Sequence, residues 1–177
     1  LTGSGDLTLT DIDDATKTID GSAYTGKVLY GGIGANDMTI TGGSGADTFD
    51  FTGGNPTSSD VVDGGDGSDT LRVDVSLTSS SAVSKVTNVE NVHLLYTSAA
   101  TDATIDATLF DGIEMQVADT NDGSNAVVVT VSNAKSTQTV KVDNSSTAGE
   151  NDTDDGVSLT VTQGTGVGTS TDVLNLT

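Results

Sequence analysis

Short apolar segments separated by glycine-rich and aspartate-rich turns recur at even intervals through the first half of the chain. Glycine pairs begin at positions 31, 42, 53 and 64, so the step from one pair to the next is constant. Between the pairs lie β-prone segments such as 28–30 and 49–51. Turns and short strands that alternate at a fixed period predict a parallel β-solenoid over about 15–75, in which two such steps make one coil.

The second half of the chain keeps a strand pattern but loses the regular glycine pairs. Polar and apolar residues alternate there, which is typical of strands with one buried face. We expect an all-β chain, with a parallel β-solenoid or β-roll domain at 1–80 and a looser continuation of the strand repeat at 81–177. The best helical candidate is the short segment 103–110. Strands are predicted at 89–95, 113–117, 126–131, 137–142 and 157–162.

A second, longer repeat links the two halves. Thr18-Ile19-Asp20 recurs in the second half as Thr104-Ile105-Asp106. Each copy leads through an aromatic residue and a glycine into a predicted strand. The aromatic residues are Tyr24 and Phe110, and we expect them to fill equivalent corners of two coils.

Acidic residues dominate the charged composition. Asp and Glu total 26 against six Lys and Arg, which gives a net charge of −20. Such a surface repels nucleic acid and opposes compaction unless cations neutralise it, so we expect divalent metal and no nucleic acid. The absence of cysteine excludes a disulfide scaffold, and the scarcity of aromatic residues favours a thin, continuous core. Disorder is the alternative for so acidic a chain, but the regular apolar pattern argues against it.

Two turns match the pattern G-G-x-G-x-D-x-U-x, in which U is a large apolar residue. One runs from Gly42 through Asp47 to Phe49, and the other runs from Gly64 through Asp69 to Leu71. A third turn, at 31–38, is a near match with Asn in the Asp position and Asp beside it. The candidate metal ligands in these turns are Gly31, Ile33, Asn36, Asp37, Gly42, Ser44, Asp47, Gly64, Asp66 and Asp69.

These residue types suit calcium. Glycine lets the backbone turn tightly and bring carbonyl oxygens together, and the following Asp returns a carboxylate to the same point. Calcium (Ca2+) takes about 6–8 oxygen ligands and accepts backbone carbonyls. The turns at 42 and 64 are separated by one predicted coil, so they should stack, which makes Asp47 and Asp69 the leading ligand pair. The alternative is that these are plain glycine-rich turns without metal.

The segment 31–72 resembles the calcium-binding nonapeptide repeats of RTX proteins, although its step is longer than that of a nonapeptide. The remaining chain is similar to the strand-rich repeats of surface-layer proteins of Gram-negative bacteria. The residues that carry this likeness include the two Thr-Ile-Asp copies and Asn88-Val89-Glu90-Asn91-Val92. The resemblance implies type I secretion to the cell surface and calcium-dependent self-association into a lattice, with cell-surface polysaccharide as a second candidate partner.

Other functions fit the residues less well, and we do not expect an enzyme. His93 is the only histidine and lies in a predicted strand, and Arg72 is the only arginine that could neutralise an acidic sugar. The alternatives are a secreted adhesin or ligand-binding solenoid, and a non-catalytic module of a secreted enzyme. The acidic loops at 119–125 and 151–156 are either solvated or secondary calcium sites. No apolar run is long enough for a membrane span, and a first residue other than Met predicts a piece of a longer chain.

Overall fold

The computed structural model describes the chain with gaps and divides it into two compact units. The first unit comprises Leu1–Asp74 and Ser81–Val92, and the second comprises Val75–Ser80 and His93–Thr177. The described residues are 1–10, 12, 15–34, 36–52, 56–74, 80–96, 103–110, 112–117, 127–134, 139–143, 157–163 and 175–176.

The first unit is built from short parallel strands that form two main sheets. Strands β2, β5, β7 and β9 are neighbours in one sheet, β3, β6, β8 and β10 form the other, and β1 pairs with β4. A 3₁₀ helix, Ser80–Val83, precedes β10. The strands are β1 (Thr2–Gly3), β2 (Leu7–Leu9), β3 (Thr18–Asp20), β4 (Ala23–Tyr24), β5 (Val28–Tyr30), β6 (Thr39–Thr41), β7 (Thr48–Asp50), β8 (Val61–Asp63), β9 (Thr70–Asp74) and β10 (Val86–Thr87).

Strand register gives the length of each coil. Thr48 pairs with Thr70, and the Asp47 N–H meets Asp69 at the same separation of 22, so the central coil has the predicted length of two glycine steps. The coil before it is shorter, because Leu29 pairs with Thr48 and the bonded pair Val28 and Asp47 has a separation of 19. The parallel β-solenoid is thus confirmed, and it begins at β1 rather than near position 15.

Alternate residues of these strands point into one continuous core. Tyr30 and Phe49 stack with ring centroids 5.0 Å apart and planes at 4°, and Leu71 extends their column by one coil. Ile40 and Val62 belong to the other sheet, and all five side chains are fully buried. Because every coil adds one large side chain per strand, the core stays thin without tryptophan.

The second unit continues as parallel strands with longer coils. Strands β13, β15 and β17 are neighbours in one sheet, and β12, β14 and β16 form another. The spacing between paired residues is 26 from β12 to β14, 27 from β13 to β15, 30 from β14 to β16 and 36 from β15 to β17. Coil length thus increases along this unit. Its strands are β11 (Asn91–Tyr96), which begins in the first unit, β12 (Ala103–Asp106), β13 (Gly112–Val117), β14 (Val127–Ala134), β15 (Thr139–Asp143), β16 (Val157–Gln163) and β17 (Asn175–Leu176).

The choice of 103–110 as a helical candidate is wrong. Ala103–Asp106 forms β12, and only Ala107–Leu109 makes a 3₁₀ turn. Asp106 causes this break, because its Oδ1 accepts a 3.0 Å hydrogen bond from Thr108 N and starts a turn. Asp20 ends β3 in the same way by accepting from Ser22 N at 3.0 Å. The Thr-Ile-Asp repeat therefore marks a strand followed by an Asp-capped turn.

The two aromatic residues of that repeat are both buried. Tyr24 is 8% exposed and donates a 2.7 Å hydrogen bond to the Gly5 carbonyl, and Phe110 is 3% exposed. The acidic loops at 119–125 and 151–156 lie outside the described residues. Within the part of the chain that the structure describes, no helix has the length and apolarity needed to cross a membrane.

Candidate metal centre

The two glycine turns that match the motif stack at one edge of the solenoid. The turn at 42–47 joins β6 to β7, and the turn at 64–69 joins β8 to β9 one coil later. Gly42 N donates to the Asp63 carbonyl at 2.7 Å, and Asp66 N donates to the Gly43 carbonyl at 3.0 Å. The carbonyls of Asp63 and Gly43, which are not among the predicted ligands, therefore join the two turns.

Glycine is required in this stack by both backbone conformation and space. Gly65 has φ +91° and Gly67 has φ +133°, which L-residues rarely adopt. A Cβ on Gly65 would collide with the Gly43 carbonyl, and a Cβ on Gly67 would collide with the Gly45 carbonyl. The repeated glycines are the consequence of two backbones lying in direct contact.

Asp47 is buried in the first turn and connects two coils. It is 1% exposed. Its Oδ1 accepts a 2.8 Å hydrogen bond from Val28 N in the preceding coil, and its Oδ2 accepts a 2.8 Å bond from Gly43 N in its own turn. Both carboxylate oxygens thus accept hydrogen bonds from backbone donors.

Asp69 occupies the equivalent place in the second turn but is only half satisfied. It is 0% exposed, and its Oδ1 accepts a 2.7 Å bond from Asp47 N. Its Oδ2 is buried and has no hydrogen-bond partner among the described residues. Burial raises the pKa of this carboxyl to about 7 against the lowering effect of the Asp47 N–H, and the nearby charges of Asp47, Glu90 and Asp63 raise the pKa further.

Glu90 adds a third rung to this column of carboxylates. Its Oε2 accepts a 2.8 Å hydrogen bond from Asp69 N, as Asp69 accepts from Asp47 N. The glycine motif does not cover Glu90, because the turn before Glu90 contains no glycine pair. Its separation of 21 from Asp69, about one coil, is the signal that could have found it.

The near-match turn at 31–37 lies at the other edge, between β5 and β6, so the structure does not bring it to Asp47 and Asp69. Ile33 is fully buried in the core, so only its carbonyl could face a cation. Asp37 is exposed and accepts from Thr57 Oγ1 at 3.4 Å. The predicted ligands in this turn, whose role stays a prediction, are Gly31, Ile33, Asn36 and Asp37.

At that second edge, a buried carboxylate that the sequence did not indicate bonds two coils together. Asp60 is 3% exposed and accepts from Met38 N at 2.8 Å and from Thr57 N at 2.7 Å. Met38 belongs to the preceding coil, so Asp60 joins two coils as Asp47 does. Both of its oxygens are satisfied, which makes it a structural residue rather than a candidate ligand.

Two of the remaining predicted ligands lie on the surface of the stacked turns, whereas Gly42 and Gly64 are buried in them. Ser44 and Asp66 are exposed, and each uses its backbone N–H to bond to the preceding coil. Among the residues whose placement is described, no three His, Cys, Asp or Glu side chains converge as a metal-binding group. A cation at this edge would therefore depend on backbone carbonyls and water together with one or two carboxylates.

The only arginine of the sequence is engaged on an outward face of the solenoid. Arg72 Nη1 lies 2.7 Å from Asp50 Oδ2, and the two residues are paired in register between β7 and β9. This ion pair connects the same two coils as the Asp47–Asp69 bond.

The chain matches no protein-family model, no curated protein and no solved structure.

Proposed function

We propose that this chain is a structural, calcium-binding protein of the bacterial cell surface. It is secreted, it folds with calcium bound at its stacked turns, and it associates with further copies into a surface layer. The observation that supports this best is the buried Asp69 carboxylate, whose Oδ2 has no hydrogen-bond donor in the described residues. A buried carboxylate oxygen without a partner is costly, and a bound cation would offset that cost.

The kind of cation follows from the ligands. The stacked turns offer carboxylate and carbonyl oxygens, and hard oxygen donors suit calcium and magnesium better than softer metals. Calcium tolerates irregular shells of about 6–8 oxygens, whereas magnesium requires a near-ideal octahedron. Backbone carbonyls in tightly stacked turns are positioned by the fold, so calcium is the better fit.

The charge of the chain gives calcium a role in export. At a net charge of −20 the metal-free chain repels itself, which opposes compaction. Calcium is scarce in the cytoplasm and plentiful outside the cell, so the chain would stay extended until it is secreted. This proposal assigns the protein a structural role with no catalytic step.

Electron microscopy of the purified chain, with calcium and with a calcium chelator, tests the assembly role. We expect ordered two-dimensional arrays with calcium and dispersed particles with chelator. Dispersed particles under both conditions, at concentrations that saturate calcium binding, would reject the lattice and favour a secreted adhesin.

A further inference from the structure

We propose that one calcium ion lies on the far side of the second glycine turn, between that turn and the next coil, where Asn88 and Glu90 complete its coordination. Neither residue belongs to a glycine motif. The inference rests on the calcium binding proposed above and identifies which residues hold one of the ions. It places the ion one coil further along than the motif spacing predicts.

Two otherwise equivalent turns differ in how they bond their buried aspartate. In the first turn, Gly43 N donates to Asp47 Oδ2 at 2.8 Å. In the second turn the equivalent glycine, Gly65, has φ +91°, and its N–H is directed to Asp63 Oδ1 at 3.3 Å. Asp69 Oδ2 therefore lacks the donor that Asp47 Oδ2 has. The altered backbone leaves one buried carboxylate oxygen available to a ligand.

A backbone carbonyl oxygen lies close to the unpaired oxygen of Asp69. A Cβ built on Gly64 would lie 2.5 Å from Asp69 Oδ2 and would collide with the Asn88 carbonyl oxygen. Both oxygens therefore approach one side of Gly64. Asn88 has φ 52°, a left-handed conformation that non-glycine residues adopt rarely and Asn more readily than most. Two oxygens that approach the same point form an electronegative site.

Glu90 supplies the second carboxylate of this site. Its Oε2 accepts from Asp69 N at 2.8 Å, which fixes its side chain beside Asp69. Asp63 lies on the same edge and accepts from Asn88 Nδ2 at 2.7 Å, which holds the Asn88 turn in place. The ligand set is thus two carboxylates, one carbonyl and water, which matches the oxygen-only preference of calcium.

Calcium calorimetry on the full chain tests the assignment with Glu90→Gln. Glutamine keeps a side-chain oxygen to accept from Asp69 N, so the substitution removes charge with little loss of structure. We expect one site to weaken by about tenfold or more, since calcium affinity depends on the number of charged ligands. Asp6→Asn is the control, because it makes the same change of charge at an exposed position. Its binding curve should match that of the wild type.

Backbone NMR of the wild-type chain during the calcium titration provides a second readout that needs no variant. The amide signals of Asn88 and Glu90 should shift together with that of Asp69. If the wild type binds no calcium, both this site and the proposed function fail. If it binds calcium, but Glu90→Gln binds equally well or only the amides at 42–47 shift, this site alone is rejected.

Discussion

Three aspartate side chains among the described residues are buried, and each needs partners that replace the water it has lost. An ionised carboxylate is rarely buried unless hydrogen bonds or a cation compensate the loss of water. Here the compensation comes from backbone N–H groups, including those of the preceding coil, and Asp69 is the exception with one oxygen unpaired. A side chain that would normally face solvent thus becomes a connector between coils. These residues are Asp47, Asp60 and Asp69.

Gly64→Ala should destabilise the fold by about 2 kcal/mol or more, because the new methyl group would collide with the Asn88 carbonyl and crowd Asp69 Oδ2. The measurement is urea unfolding followed by circular dichroism. Gly5→Ala is the matched control, since a Cβ at Gly5 would meet nothing within 4 Å. Equal unfolding midpoints for the two variants would contradict the close stacking of the second turn on the Asn88 turn.

Tyr30 should make the protein sensitive to alkaline pH. Burial raises the pKa of its hydroxyl, and the nearby charges of Asp47, Asp69 and Asp20 raise the pKa further. Between the unfolded pKa of about 10 and the higher folded pKa, the unfolded chain loses a proton that the folded chain keeps, so stability falls as pH rises. The slope from this one group reaches at most about 1.4 kcal/mol per pH unit.

The difference between wild type and Tyr30→Phe isolates this effect, because the other titrating side chains are common to both. Urea unfolding at several pH values from about 8 to 11 should show the variant losing less stability above pH 10. Parallel curves across that range would contradict the assignment.

At the scale of elements, each strand contributes to stability through the residues that align with its own in the neighbouring coils. One register position at the start of the strands in one sheet is apolar at Val28 and acidic at Asp47, Asp69 and Glu90 in the following coils. Each acidic residue accepts the N–H of its neighbour in the coil before. These residues, together with Asp60 at the other edge, accept hydrogen bonds from backbone N–H groups. Those bonds join the coils in addition to the backbone hydrogen bonds within the sheets.

Asp60→Ala tests that other edge independently of metal. The substitution leaves the N–H groups of Met38 and Thr57 without their acceptor, and each such group costs about 1–3 kcal/mol when buried. We expect a fall of that order in the free energy of unfolding, measured with chelator present. Asp37→Ala is the control, because Asp37 is exposed and accepts a long bond of 3.4 Å from Thr57 Oγ1. An equal effect of both substitutions would show that burial of Asp60 does not matter.

Sequence patterns predicted most of the strands in both halves of the chain and missed the side chains whose turns carry no glycine motif. The constant glycine spacing was enough to predict β5 to β9, because closely stacked turns favour glycine in every coil. The sequence did not indicate Glu90 and Asp60, because their turns contain no glycine motif. Only the strand register shows that each residue bonds to the preceding coil. The segment 103–110 was the best helical candidate because it contains alanine and leucine, whereas pairing of Ala103–Asp106 with β14 makes its first half a strand.

At the scale of the whole molecule, the proposed calcium would act together with the charge of the chain. Like charges repel most where carboxylates stack, and a cation that binds only the folded chain stabilises it by mass action. One ion at a hundredfold excess over its Kd contributes about 2.7 kcal/mol, which is a large part of the stability of an ordinary domain.

We therefore expect circular dichroism to show β-structure that is lost on chelation and restored by calcium, with much less restoration by magnesium. The reason is the poor fit of irregular carbonyl sites to octahedral coordination. Elemental analysis must confirm that the chelated sample is free of metal. A melting temperature unchanged by chelator in such a sample would show that folding of this protein does not depend on calcium.

The regular register of the first unit also bears on how the chain could fold during the proposed secretion. Its inter-coil hydrogen bonds join partners separated by 17 to 25 positions, from the Ile33–Asp50 pair to the Asp63–Asn88 pair. Sheet proteins usually fold slowly because distant segments must meet before any pairing is rewarded. Here each new coil closes a loop of similar, short length against a template already formed, so its entropic cost does not grow with chain length. A polypeptide delivered end first through a narrow pore can thus fold progressively, and each completed coil would hinder its backward slippage.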